Sequence, residues 1–249
     1  SGSTLDYVYR NQPQGLGPLG RAIDKTYLES IGWTGIRQRK RHVEELLRDA
    51  MARLSQKGED VRVLDIAAGH GRYVLEALGA TKTRPDSILL RDYSDINVKE
   101  GGALIREKGL ADIARFEKAD AFDTASIAGI EPRPTVGVVS GLYELFPSND
   151  LIRASLAGLA QAVEPGGYLV YTGQPWHPQL EFIARVLTSH RGHAKWVMRR
   201  RTQAEMDQLV EAAGFRKVDQ LIDEFGIFTV SLAIREGGTA AAQSVPRAA

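Results

Sequence analysis

The sequence predicts an α/β fold with a doubly wound, mainly parallel sheet, and three observations carry that prediction. Short runs rich in Val, Leu and Ile, beginning with Val61-Arg62-Val63-Leu64-Asp65-Ile66, alternate along the chain with helix-period patterns. The first run passes straight into the small, glycine-spaced turn Ala67-Ala68-Gly69-His70-Gly71, whose backbone can approach a ligand closely. Near the carboxyl end, the strand-like runs Phe215 to Ile222 and Ile227 to Arg235 are joined only by Asp223-Glu224-Phe225-Gly226. That connection is too short for a crossover helix, so the two runs pair antiparallel.

Composition narrows the function. The chain has 249 residues, enough for one α/β domain with a substantial core. Its 32 Lys plus Arg against 31 Asp plus Glu leave a net charge of +1, so no whole-molecule field draws in nucleic acid or an anionic membrane. Absence of cysteine removes disulfides, thiolate metal sites and cysteine nucleophiles and fits a cytoplasmic setting. No metal site is expected. No apolar run approaches the roughly 18 to 20 residues that span a bilayer, so integral membrane association is not expected. The chain opens Ser1-Gly2-Ser3 without methionine, the pattern of a tag remnant or an excised domain.

Taken in order, residues 1 to 35 read as irregular, with Gly15, Gly17, Pro18 and Gly20 close together, yet they carry Tyr7, Tyr9, Tyr27 and Trp33. So aromatic a segment is expected to pack over the domain as a helical cap, with no helix bounds legible in its pattern. Val43, Leu46, Leu47, Ala50, Met51 and Leu54 recur at helical spacing within an amphipathic helix from Ile36 to about Ser55. After the glycine turn come a helix over Tyr73 to Leu78, a strand Ser87 to Asp92, a helix Ile96 to Lys108 and a strand Arg115 to Asp120. A fourth strand covers Thr135 to Ser140, then a long helix Asn149 to Val163, and Pro165-Gly166-Gly167 turns the chain into a fifth strand, Tyr168 to Thr172. Phe182 to Ser189 reads as a helix, followed by a basic, aromatic stretch from His190 to Arg201. Thr202 with Glu205 forms a capping-box signature for a helix Gln203 to Ala213, and Gly214 ends it. The main domain is therefore expected over 36–236, with 237–249 a disordered tail.

Open parallel sheets bind ligands beyond the carboxyl ends of their strands, and three successive strands here end in an acid: Asp65, Asp92 and Asp120. A dinucleotide fingerprint needs a third glycine where Val74 stands and rarely places an acid at Asp65; a phosphate loop needs a Gly-Lys-Ser/Thr that is missing. The pattern points to a cationic or zwitterionic ligand.

The run Val63-Leu64-Asp65-Ile66-Ala67-Ala68-Gly69-His70-Gly71-Arg72 resembles motif I of class I S-adenosylmethionine-dependent methyltransferases, and the likeness extends over roughly Ile36 to Arg235. Gly32-Trp33-Thr34-Gly35-Ile36-Arg37 adds a likeness to methyltransferase domains found fused to α/β-hydrolases. The resemblance implies a seven-stranded Rossmann-like sheet and S-adenosylmethionine as cofactor. It implies that Asp65 and the backbone at Ala67, Gly69 and Gly71 hold the methionine amino group and adjacent atoms, and that Asp92 takes the ribose hydroxyls with Tyr93 against the adenine. Asp120 would accept from the adenine amino group and Ala121 would offer its amide. An ammonium, a diol and an exocyclic amine are all donors, which suits carboxylates. Two departures stand out: alanine at position 67 where the family has glycine, and 27 residues from Asp65 to Asp92 against about 20 in related sheets.

The resemblance also places the exit of the fourth strand, from Ser140 through Tyr143 and Glu144 to Pro147, beside the transferable methyl. This is not the Asn/Asp-Pro-Pro-aromatic motif of enzymes that methylate DNA amino groups, so DNA is not an expected partner. Tyr143 and Glu144 are candidates for substrate contact, His177 for a base, and Trp176 and Tyr27 for the acceptor pocket, with the aromatic amino-terminal segment as a lid. Arg37, Arg39, Lys40 and Arg41 open a helix, where cations oppose the dipole by roughly a few tenths of a kcal/mol. That misplacement suggests an anion partner, with Arg37 a candidate for the cofactor carboxylate or the substrate. The expected reaction is in-line methyl transfer to a small-molecule or lipid-like acceptor. Alternatives are an RNA methyltransferase using the basic 190–201 patch, a nicotinamide-dependent oxidoreductase and a non-catalytic binding module.

Overall fold

A computed structural model describes residues 2–187 and 195–237. The last turn expected of the Phe182–Ser189 helix, the first half of the basic stretch and the expected tail over 238–249 lie outside the described residues.

The sheet is built from β1 (Arg62–Asp65), β2 (Ser87–Asp92), β3 (Ala114–Lys118), β4 (Val136–Val139), β5 (Tyr168–Gly173), β6 (Phe215–Ile222) and β7 (Thr229–Arg235), in the order β3-β2-β1-β4-β5-β7-β6. The pairings β1 with β2, β2 with β3, β1 with β4 and β4 with β5 are parallel; β7 is antiparallel to β5 and to β6. Strand order reverses between β1 and β4, which opens a crevice at their carboxyl ends. Every residue of β4 is buried, which explains why the central strands read as unbroken apolar runs.

Helices cover both faces. On one face Val43, Leu46, Leu47 and Met51 of α3 (Ile31–Gln56) pack with α4 (Arg72–Ala77) and α5 (Asp95–Glu107). The other face holds Ile127 of α6 (Thr124–Ala128), Ile152 and Leu156 of α7 (Asn149–Ala162) and Met206 of α9 (Gln203–Ala212). Thr202 caps α9, its hydroxyl accepting from the Glu205 amide at 3.1 Å, as the capping box predicts. Asp123 caps α6, accepting from the Ser126 amide at 3.0 Å, which leaves Asp120 outside that helix start.

The amino-terminal segment departs from the irregular reading: it forms α1 (Gly2–Arg10) and α2 (Gly17–Leu28), and α3 begins at Ile31, running without a break across the boundary expected at residue 35. The glycine and proline cluster that suggested a loop is a helix start. Gly17 has φ 67 and Pro18 occupies the first turn of α2, where its missing N–H costs nothing. Val8, Leu28, Trp33 and Ile36 join Ile227 and Phe228 in a third apolar cluster, which fastens this segment to the sheet. The last helix before the basic stretch is α8 (Leu180–Val186). No described helix is long and apolar enough to cross a membrane.

Candidate active site

At the crevice lies a cavity of about 1100 Å³, bounded by the glycine turn, the ends of β2, β3 and β4, the amino end of α1 and parts of α3 and α8. That volume lies just above the roughly 300–1,000 Å³ typical of ligand pockets, and suits two molecules side by side.

The turn after β1 is shaped from below. Asp65 is fully buried; its Oδ1 accepts from the Ala67 amide at 3.0 Å, and its Oδ2 has no hydrogen-bond partner among the described residues. Burial pushes this carboxyl up to about 7, and the neighbouring Asp92 adds to the rise against the Tyr73 hydroxyl and the Ala67 amide. Gly69 (φ 59) and Gly71 (φ 74) are left-handed, and a Cβ on Gly71 would lie 2.3 Å from Leu90 Cδ1. Glycine is therefore required at position 71 on two counts. Asn11 is the sole non-glycine residue with positive φ among the described residues, so alanine at position 67 carries no backbone strain.

Asp92 closes β2 with both oxygens engaged: Oδ2 accepts from the Gly69 amide at 3.0 Å and Oδ1 from the Ser94 amide at 2.9 Å. It thereby ties the glycine turn to the second strand, and its remaining lone pairs serve the cavity it lines. Tyr93, Asp120, Ala121 and Ser140 line the same cavity, with Asp120 Oδ1 accepting from the Phe122 amide at 2.9 Å. Above the turn, α1 closes in: a Cβ on Gly69 would stand 3.4 Å from Gly2 Cα. Asp6 of α1 accepts from Arg72 Nε at 2.6 Å, with His70 Nδ1 3.7 Å away. Against the cost of burial, His70 and Arg72 hold the Asp6 carboxyl well below the usual carboxylate range.

The opposite half of the cavity is apolar, with Tyr27, Trp33, Phe146, Phe182 and Phe228 in its wall. Glu144 lines it and is paired with Arg39 of α3 at 3.3 Å. His177 lines it as well, 6% exposed, its Nδ1 accepting from the Gln179 amide at 3.1 Å. Burial lowers the His177 pKa, and that backbone donor puts the proton of the neutral ring on Nε2. The ring presents a donor to the cavity, not the lone pair of a base.

Five of the residues singled out in the sequence do not line the cavity: Asp65, Gly71, Tyr143, Arg37 and Trp176. Asp65 and Gly71 shape the turn from behind. Tyr143 turns into the core and donates to Ser155 Oγ at 2.9 Å, because successive side chains of the one-turn 3₁₀ helix Tyr143–Leu145 diverge, and Glu144 and Leu145 line the cavity while Tyr143 does not. Arg37 spends its guanidinium on the Leu28 carbonyl at 2.8 Å and Thr34 Oγ1 at 3.1 Å, capping the carboxyl end of α2. Trp176 is 45% exposed. In the basic stretch, Arg201 is buried and donates to the Tyr143 and Phe146 carbonyls, each at 2.7 Å, while Arg199 donates to the Pro147 carbonyl at 2.7 Å and pairs with Glu205 at 2.5 Å. These two arginines brace loops, whereas Trp196 and Met198 between them line the cavity. Asp6 and His70 line the cavity without having been singled out in the sequence, and Arg39, named there only as one of four cations opening a helix, lines it as well.

A doubly wound sheet in this order, with a glycine turn after β1 and carboxylates after β2 and β3, defines the class of S-adenosylmethionine-dependent methyltransferases. The chain belongs to the family described as "Putative methyltransferase", which matches residues 1–235. It is 60% identical over 235 residues to the uncharacterized protein YnbC of Escherichia coli K12, covering 94% of this chain and 40% of YnbC, so it spans well under half of that relative. Among solved structures, it resembles a Bordetella parapertussis protein described as a "possible exported protein" (TM-score 0.74, 18% identity, 95% of this chain and 80% of that one). It also resembles magnesium protoporphyrin IX methyltransferase of Synechocystis PCC 6803, solved with bound SAH (TM-score 0.63, 16% identity, 94% of each chain). At such identities these structures speak for the fold. The cofactor of this class is S-adenosylmethionine, and the residues here fit it: a backbone cradle at Gly69 that admits close approach, a buried carboxylate oxygen of Asp65 without a partner beneath it, and acceptors at Asp92 and Asp120.

Proposed function

We propose that the chain catalyses in-line methyl transfer from S-adenosylmethionine to a small-molecule or lipid-like acceptor. One observation carries the reading: a single cavity joins the carboxylate-lined, glycine-turn end to an apolar, aromatic end, so donor and acceptor fit in one water-poor space. The cofactor supplies a methyl group on a sulfonium, already joined to a good leaving group. Asp92 receives the ribose hydroxyls, Asp120 and the Ala121 amide take the adenine edge, and Tyr93 lies against the base. Asp65 acts from beneath, fixing the Ala67 amide under the methionine end. Ser140 borders the junction of the two halves. The protein's own contribution is alignment and exclusion of water by α1 and the aromatic wall.

An assay with methyl-labelled S-adenosylmethionine tests this directly, run against panels of small alcohols, phenols, amines and lipid extracts, with RNA as a separate arm. Label is expected in an organic-soluble product and absent from RNA. Label in RNA alone, at a rate falling steeply with salt, overturns the acceptor class.

A further inference from the structure

Within the cavity wall, Arg39 and Glu144 form an ion pair that the reading above leaves without a task. Their side chains are 3% and 9% exposed. Arg39 comes from the first half of α3 and Glu144 from the turn after β4, so two distant parts of the chain converge there. A buried ion pair is costly unless its remaining donors and lone pairs are satisfied. Here one donor is not: the two meet through one contact of 3.3 Å, and Arg39 Nε has no partner among the described residues. Phe228 stacks on the guanidinium at 5.0 Å, and a Cβ on Gly141 would stand 2.9 Å from Arg39 Nη2. The arginine is thus wedged between a ring and the backbone leaving β4, and it holds the carboxylate at the cavity. Although burial opposes the charge, Tyr9 and Glu144 keep the guanidinium's proton affinity above the ordinary arginine value.

The chemistry of the pair selects its ligand. A carboxylate or phosphate would meet the charge of Glu144, and an ammonium would meet that of Arg39. A neutral hydroxyl donates to the one and accepts from the other. The cavity that the pair lines is also walled by Trp33, Ile36, Leu145, Phe182 and Met198, which offer apolar surface. Ser140 and Gly141, which line the same cavity as Ala67 and Gly69, connect the pair to the donor end.

Resting on the methyl-transfer reading, we infer that Arg39 and Glu144 form the recognition site for the hydroxyl of a neutral, apolar-bodied acceptor, Glu144 receiving the hydroxyl proton and Arg39 positioning Glu144. The acceptor oxygen forms the new O–CH3 bond as the donor's S–CH3 bond breaks. The electron pair of that bond stays on sulfur, and the hydroxyl proton passes to Glu144 and then to solvent.

Calorimetric titration of the chain saturated with S-adenosylhomocysteine tests the inference with three probes of similar size: 2-naphthol, 2-naphthoate and 2-methoxynaphthalene. Naphthol is expected to bind at least about tenfold more tightly than either of the others, the worth of a hydrogen bond to a charged group. Glu144→Gln, equal in volume and uncharged, should lose most of that preference while keeping its affinity for S-adenosylhomocysteine within about twofold. Arg39→Lys, which keeps a cation but not the fork, should weaken it in part and serves where the first variant does not fold. Tighter binding of naphthoate, a preference that survives Glu144→Gln, or no naphthol binding by a chain that still binds S-adenosylhomocysteine overturns the inference alone. Failure to bind S-adenosylhomocysteine overturns the methyl-transfer reading and the inference together.

Discussion

Asp65 and Asp92 sit one strand apart at the floor of the same turn and are treated differently by it. Asp92 has two backbone donors, whereas Asp65 has one donor and an oxygen sealed from water. The consequence for Asp65 is a pH-dependent stability of definite sign. Its carboxyl is raised from an ordinary 3.8 to about 7 in the folded chain, so between about pH 4 and 7 the native state holds a proton that the unfolded chain has released. Stability from this residue therefore falls as pH rises through that window, by up to about 4 kcal/mol, and levels off above it. Replacing Asp65 with Asn should flatten this slope. Melting temperatures at pH 5 and pH 8 should differ less in Asp65→Asn than in the parent, and an equal difference would remove Asp65 as the cause. The same scale explains what was hard to read in the sequence. Arg37 and Arg39 are two residues apart on one helix and so point to opposite sides; Arg37 caps α2 and Arg39 enters the cavity. Tyr143 and Glu144 are divided in the same way by one turn. Residue types and the neighbourhood were legible, but the phase of the helix was not.

At the scale of elements, the amino-terminal segment is the expected helical cap, but the glycine and proline cluster hid where its helices begin and end. Gly17 and Pro18 interrupt no helix; they start one. The aromatic content was the better guide, because Trp33 is buried in the cluster that fixes the segment while Tyr27 packs edge-on against it at 5.6 Å. Strand ends were legible for a simple reason: a parallel sheet aligns its carboxyl ends, so an acid that closes an apolar run lands at the crevice wherever the run starts. Helix α1 lies over the glycine turn and is held by Asp6 to Arg72 and His70. Asp6→Ala leaves Arg72 short of a partner and should cost about 1–3 kcal/mol of local stability. Limited proteolysis should then cleave within residues 2–30 faster than in the parent, with S-adenosylhomocysteine restoring part of the protection. Unchanged cleavage would show that the ion pair does not hold α1 in place.

For the whole molecule, the cavity exists because strand order reverses between β1 and β4, and the amino-terminal helices convert that open crevice into a partly enclosed space of about 1100 Å³. Fold and cofactor end follow from local sequence, whereas the acceptor end is assembled from α1, α2, α3, the turn after β4, α8 and the stretch around Trp196, and no short motif could announce it. Two arginines of the basic stretch, Arg199 and Arg201, are spent on loops in the same assembly. The central claim is that the carboxylates around the glycine turn hold S-adenosylmethionine. Isothermal titration of the chain and of Asp92→Ala with S-adenosylhomocysteine tests it most directly. One-to-one binding by the parent, weakened at least about tenfold in the variant, is the predicted result; no binding by the parent, or equal binding by both, would contradict it.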